Sequence, residues 1–135
     1  MYMPQDRISG AAASRWGLET APQIAAQIGA AMQRRGSNEA LLNGQKVVIK
    51  CAAPATDSVG VTHKMLERLD SVIGAFQLDD GSFELWSLSP QQFAAAMRET
   101  RSRGASSGKV AQVRKRTFLS HGKPLGRVRI NPAVV

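Results

Sequence analysis

The stretch NEALLNGQKVVIKCA, residues 38–52, decides the fold class that we predict for this sequence. Asn43 and Gly44 separate two apolar runs. An Asn-Gly pair favours the two-residue turn of a β-hairpin, because both residues adopt positive φ readily. The second run, Val47 to Ile49, is β-branched and typical of a buried strand. We therefore expect an antiparallel strand pair here.

The rest of the chain adds a second hairpin and several helices. The second hairpin is expected at residues 75–88, where Asp79, Asp80 and Gly81 separate two apolar runs. Apolar spacing and capping residues predict helices at residues 9–16, between residues 20 and 36, at residues 61–74, from Pro90 onward after the cap Ser89, and at residues 109–121. Residues 122–135 have a loose or strand-like pattern. We expect the mixed α+β (α/β) class, with a central sheet from two β-hairpins flanked by helices.

Charge divides the 135 residues unequally. The net charge is +8, from 18 Lys and Arg against 10 Asp and Glu. Residues 98–135 hold ten basic residues and one acidic residue, a balance of +9, whereas residues 1–97 hold eight basic and nine acidic residues, a balance of −1. We expect a near-neutral core domain at residues 1–97 and a basic C-terminal arm at residues 98–135.

A basic arm of this kind is typical of a protein that binds a polyanion, because each Lys or Arg that neutralises a phosphate releases condensed counterions. The alternative is a solvated tail that only keeps the protein in solution. The nucleic-acid-binding candidates are Arg98, Arg101, Arg103, Lys109, Arg114, Lys115, Arg116, Lys123, Arg127 and Arg129. Aromatic residues make up 5% of the chain, which favours backbone contact with double-stranded DNA over stacking on single-stranded bases.

Other classes of protein fit the composition poorly. A single cysteine, Cys51, excludes an internal disulfide framework. The first residues carry no apolar signal-like run, and no stretch approaches 18 apolar residues. We therefore expect a cytoplasmic protein with no membrane partner. The histidines, His63 and His121, have no metal-ligand spacing with Cys51.

Residues 38–52 resemble the hairpin at the centre of the PD-(D/E)XK nuclease superfamily, to which many restriction endonucleases belong. In that family an acidic residue opens the hairpin, and a Glu-x-Lys triplet on the next strand is often followed by a small residue. Glu39, beside Asn38, matches the acidic position, Lys50 matches the lysine, and Ala52 matches the small residue. The resemblance covers about residues 10–95 and implies a restriction-endonuclease-like core.

The resemblance also implies a site for phosphodiester hydrolysis, in which carboxylates hold Mg²⁺ and a lysine stabilises the charge on the phosphate. The catalytic candidates are Glu39 and Lys50, and the metal-binding candidates are Glu39, Asp57 and Glu19. The chain departs from the family pattern at Val48, which stands where the glutamate of the triplet is expected and cannot bind a metal. Magnesium is therefore expected only if the protein is an active nuclease. The simpler alternative is that Lys50 is a strand-end lysine with its ammonium in solvent and Glu39 is a surface charge.

These patterns predict a DNA-associated protein with a nuclease-like core, which is either a magnesium-dependent nuclease or a degenerate one. A non-catalytic DNA-binding or regulatory protein, forming a homo-oligomer, is one alternative, and a protein-interaction module for an acidic partner is another. Residues 13–28 also permit a helix-turn-helix interpretation with Gly17 in the turn. Two packed core helices are the alternative there.

Overall fold

The protein is described by a computed structural model, which covers residues 5–99 and 110–130, with side chains for residues 15–98 and 110–130. The class is mixed α+β, as the sequence predicts. The elements in chain order are α1 Gln5–Ile28, β1 Ala31–Met32, β2 Glu39–Leu42, β3 Gln45–Ala52, β4 Ser58–Thr62, α2 His63–Leu66, β5 Ser71–Gln77, β6 Phe83–Leu88, α3 Pro90–Ala96, β7 Arg98–Glu99, β8 Val110–Arg114, α4 Lys115–His121 and β9 Lys123–Val128.

The strands of the described residues form two sheets. The larger has six strands in the order β1-β2-β3-β5-β6-β9, and the smaller has three in the order β4-β8-β7. Every neighbouring pair is antiparallel except β3 and β5, which run parallel. A parallel pair requires a crossover, and here the crossover consists of β4 and α2.

The two faces of the six-stranded sheet carry separate apolar clusters. One face packs Ile49 and Ile73 against Ile24 of α1. The other packs Val48 in a cluster with Phe118 of α4, together with residues of α3 and the three-stranded sheet. Alternate residues of a strand point to opposite faces, so β3 contributes to both clusters. The sheet therefore separates an α1 face from an α4 face, and these two names are used below.

Both predicted hairpins are confirmed. Asn43 has φ 53° and Gly44 has φ 79°, the positive pair that the two-residue turn between β2 and β3 requires. The turn between β5 and β6 contains Gly81 at φ 87°. Ser89 caps α3 as predicted: its hydroxyl accepts a hydrogen bond from the backbone N–H of Gln92, whose side chain accepts one in return from the Ser89 N–H.

The two predicted N-terminal helices are one helix. α1 continues through Gly17 and ends before Gly29, which has φ 79°. The helix-turn-helix interpretation is therefore wrong, because there is no turn at Gly17. An interior glycine costs a helix about 1 kcal/mol. Ala21 and Ile24, both fully buried against the sheet, offset that cost through tertiary packing.

The helix predicted at residues 61–74 is wrong as a single element. The segment instead contains the end of β4, the single turn α2 and the start of β5. Residues 72–76 are buried without interruption, as expected of a strand covered on both faces, and such a run has no period that distinguishes strand from helix. The helix predicted at residues 109–121 similarly divides into β8 and α4.

The described part of the basic segment belongs to the folded body. β8 is the central strand of the smaller sheet, and β9 is an edge strand of the larger one. Ala111, Val113 and Phe118 are at most 1% exposed. Residues 110–128 of the predicted basic arm therefore pack with the core, and their apolar side chains complete it. Residues 101, 103 and 109, which carry three of the predicted nucleic-acid contacts (Arg101, Arg103 and Lys109), lie outside the described residues.

Candidate functional sites

Glu39 and Lys50, the predicted catalytic pair, lie on neighbouring strands and on the same face of the sheet. Glu39 opens β2 opposite Val48 of β3, and paired residues of adjacent strands share a face. Lys50 is two residues beyond Val48 and therefore points the same way. The shared side is the α4 face, since Val48 packs in the cluster that contains Phe118.

The carboxylate of Glu39 is held by arginines. Arg68 donates from Nε to Oε1 at 3.1 Å and from Nη2 to Oε2 at 3.0 Å, a bidentate pair. Arg34 Nη2 lies 3.6 Å from Oε2, and the Ser37 hydroxyl donates to the same oxygen at 3.4 Å. The hydrogen bonds from Arg68 hold the pKa of Glu39 below its ordinary value. Both oxygens are therefore engaged by protein donors.

Lys50 is half-buried and has no carboxylate partner among the described residues. Burial lowers the pKa of its ammonium, because desolvation disfavours the charged form. The next residue, Cys51, lies with the cluster on the α1 face. Burial raises the pKa of the Cys51 thiol to about 12, so the reactive thiolate does not form at neutral pH.

The carboxylates predicted to hold magnesium lie in three different places. Glu39 is on the α4 face, and Glu19 is on α1 beside a cavity over the α1 face. Asp57 precedes β4 in a cleft lined by residues of α4. Within residues 5–99 and 110–130, no group of three or more His, Cys, Asp or Glu side chains could hold a metal ion. These residues do not fit a magnesium site.

A cluster of basic side chains surrounds the junction of β8 and α4. Arg114, Lys115 and Arg116 line a cleft of about 330 Å³, together with Asp57 and Leu119. The cleft is fixed to the core, because the backbone N–H of Lys115 donates to the carbonyl of Asp57 at 2.6 Å and Phe118 of α4 is fully buried.

Arg127 of β9 extends this basic cluster. It pairs with Glu84 of β6 and therefore shares a face with it. Lys115 reaches the same place, with its Nζ 3.7 Å from Glu84 Oε1 and 5.5 Å above the ring centre of Phe76. We call Arg114, Lys115, Arg116 and Arg127 the α4 basic surface.

Carboxylates offset part of the charge on this surface, because Arg127 lies opposite Glu84 and acts on Asp80, and Asp57 lines the cleft with Arg114 and Arg116. Arg114, Arg116 and Arg127 are exposed, and the described residues give none of them an ion pair. The other predicted nucleic-acid contacts within the described residues are on β7 and β9 or directly after β9. Arg98 is on β7, Lys123 pairs with Ser87 at the start of β9, and Arg129 bonds Asp80 at 3.3 Å.

Sequence reasoning did not identify Arg68 as a partner of Glu39. The two residues are 29 positions apart, and the sequence pattern assigns Arg68 to the outer face of a predicted helix. The only local signal is its positive charge.

Comparisons with known proteins identify no family. No protein-family model matches the chain, and a search of curated proteins finds no significant relative. Of the helices within the described ranges, none combines the length and the apolar character that crossing a membrane would need.

Proposed function

We propose that this protein binds double-stranded DNA through the α4 basic surface and does not cleave it. The observation that carries the proposal is the exposed charge of Arg114 and Arg116, neither of which has an ion pair with another described residue. Charges without a carboxylate partner are available to phosphates, and their counterions are released on binding. Contacts of this kind position a protein on the duplex without reading its sequence.

The rigid setting of the surface supports the same proposal. Arg114 and Arg116 flank the start of α4, whose Phe118 packs against Phe76 and Phe93 at centroid distances of 5.3 and 6.4 Å. Side chains on an element anchored in this way lose less entropy on binding than side chains of a free tail. The low aromatic content, 5%, also fits phosphate contact better than base stacking.

The nuclease-like core is itself part of the proposal. Two observations indicate that such a core would bind DNA rather than cleave it. Val48 occupies the position of the triplet glutamate, and both oxygens of Glu39 are engaged by Arg68. The guanidinium of Arg68 thus occupies the side of the Glu39 carboxylate on which a metal ion would bind. We therefore propose a degenerate nuclease-like core and assign it no magnesium.

Binding is tested by fluorescence anisotropy with a short labelled duplex over a series of salt concentrations. The double variant Arg114→Ala/Arg116→Ala should bind more weakly. Its slope of log K against log salt should be shallower by about 0.9 for each phosphate that the variant no longer neutralises. The charge-matched control is Arg15→Ala/Arg35→Ala, which removes two exposed arginines outside the α4 basic surface and should change binding much less. Equal affinities and slopes for the two double variants would contradict the proposed surface.

Cleavage is tested separately by nicking of supercoiled plasmid with Mg²⁺ or Mn²⁺. We expect the wild type to show no more nicking than Lys50→Ala. Nicking by the wild type that disappears in Lys50→Ala would contradict the non-cleaving part of the proposal while leaving the binding part intact.

A further inference from the structure

A cavity lies over the α1 face, on the opposite side of the six-stranded sheet from the α4 basic surface. Its volume is about 450 Å³. Sites for small molecules typically enclose about 300–1,000 Å³. Three parts of the fold form the walls: α1, the turn between β5 and β6, and the residues that follow β9.

An aromatic pair forms one wall of the cavity. The rings of Trp16 and Phe83 are stacked, with centroids 5.9 Å apart and planes 29° from parallel. Phe83 is 2% exposed, whereas Trp16 is half-buried and lines the cavity. A planar ligand can therefore contact the indole without disturbing the packed phenyl ring.

Polar groups in the same walls have no partner within the described residues. Thr20 and the half-buried Gln77 line the cavity, and their side chains form no hydrogen bond with another described residue. Gln23 donates to the backbone carbonyl of Glu19 at 3.3 Å, which leaves its Oε1 as an acceptor. Donors and acceptors thus surround the aromatic wall.

The charges at the mouth of the cavity restrict the ligand. Arg129 bonds Asp80, and Asp80 also accepts hydrogen bonds from the N–H and hydroxyl of Ser82 at 2.9 and 2.6 Å. Glu19, Asp80 and Arg129 all line the cavity, and Arg129 offsets the charge of Asp80. Glu19 has no ion pair with another described residue, so its carboxylate disfavours an anionic ligand. An uncharged ligand is favoured.

We propose that this cavity binds a nucleoside. An uncharged heteroaromatic base combines a planar face for Trp16 with an edge of donors and acceptors for Gln77 and Thr20. The ribose adds hydroxyl groups that suit the carboxylate-lined mouth. The cavity is separate from the cleft at the start of α4, because the two lie on opposite faces of the sheet. Arg127 of the α4 basic surface nevertheless acts on Asp80 at the cavity mouth.

The chain contains two tryptophans, so Trp86→Phe leaves Trp16 as the single tryptophan, which is excited selectively over the one tyrosine. Trp86 packs on the α4 face, away from the cavity. Titration of this variant with adenosine, guanosine, cytidine and uridine should give saturable quenching for at least one nucleoside. Adenosine monophosphate should bind more weakly than adenosine because of the carboxylates at the mouth. Absence of saturable quenching by all four nucleosides would overturn the proposal.

A second set of variants tests the polar contacts. In the Trp86→Phe background, Gln77→Ala should raise the dissociation constant about two- to tenfold, which is the effect of losing one hydrogen bond. Gln45→Ala, at an exposed position of β3, is the matched control and should leave it unchanged. Thr20→Val provides a second test if Gln77→Ala lowers the thermal stability. Unchanged affinity in both variants, each shown to be folded by far-UV circular dichroism, would overturn the proposed site.

Discussion

Glu39 lies at the entrance to β2, where its carboxylate is held by Arg68, which is distant in sequence, and by the nearby Arg34. Its position at the start of a hairpin could be predicted, because the Asn-Gly turn determines locally where the strand begins. Its bidentate contact with Arg68 could not, because that contact depends on how α2 packs beside the sheet. The side chain that resembles a metal ligand in sequence is therefore part of an ion pair in the structure.

This ion pair makes stability depend on pH. The pKa of Glu39 is held below 4.5 by Arg68 in the folded protein, while the unfolded chain has the ordinary value. The folded state then binds fewer protons just below pH 4.5, so the stabilisation is complete above that pH and is lost as pH falls through the folded pKa. We expect the difference in unfolding free energy between wild type and Arg68→Ala to be largest above pH 4.5 and to shrink on acidification.

Urea unfolding of both proteins over a series of pH values measures this difference. Arg35→Ala is the control, since it makes the same charge change at an exposed arginine that has no ion pair with another described residue. A difference between wild type and Arg68→Ala that does not change with pH would contradict the role of Glu39.

Elements with local signals were predictable from the sequence. The Asn43-Gly44 turn and the Ser89 cap are each determined by a few neighbouring residues, and both were found as expected. The helix predicted at residues 61–74 was wrong because Val72 and Ile73 fitted a helical period by coincidence. Their strand lies between β3 and β6, and that position is a property of the sheet rather than of the segment.

The contact of α4 with the sheet leaves no room for a side chain at Gly74 or Gly122. A Cβ at Gly122 would collide with the backbone carbonyl of Phe118 and lie 2.8 Å from that of Ser87. A Cβ at Gly74 would lie 2.7 Å from the ring of Phe76. We expect Gly122→Ala and Gly74→Ala to lower the unfolding free energy by about 1–3 kcal/mol, the usual cost of overpacking.

Urea unfolding provides the measurement, and Gly17→Ala provides the control. A Cβ at Gly17, in the interior of α1, meets no atom of the described residues within 4 Å, so this change should stabilise the protein by about 0.5–1 kcal/mol. Wild-type stability in Gly122→Ala would mean that α4 is not docked as described.

At the scale of the whole molecule, the sequence predicted the class and the uneven charge but not the integration of residues 110–128. Charge along a chain carries no information about which strands pair. The pairing of β8 with β4 joins residues 58–62 to residues 110–114. The expectations of a homo-oligomer and of a cytoplasmic location stay predictions, the first of which light scattering can test.

Integration of the C-terminal elements predicts the result of truncation. A fragment of residues 1–97 lacks Ala111, Val113 and Phe118, all of which are buried in the cluster on the α4 face. We expect this fragment to show no cooperative thermal transition by far-UV circular dichroism, whereas a separable arm would leave the transition unchanged. Point variants, rather than truncation, are therefore the appropriate test of DNA binding.

The late position of β8 and β9 in the chain also affects how the protein is made. During translation, β4 has no β8 to pair with until residue 114 has left the ribosome, and β6 remains an open edge until residue 128 follows. Until then the apolar residues of the α4 face have no cover from Phe118, which exposes the nascent chain to aggregation. Because the same segment carries the α4 basic surface, a ribosome-bound chain acquires that surface only as its fold is completed.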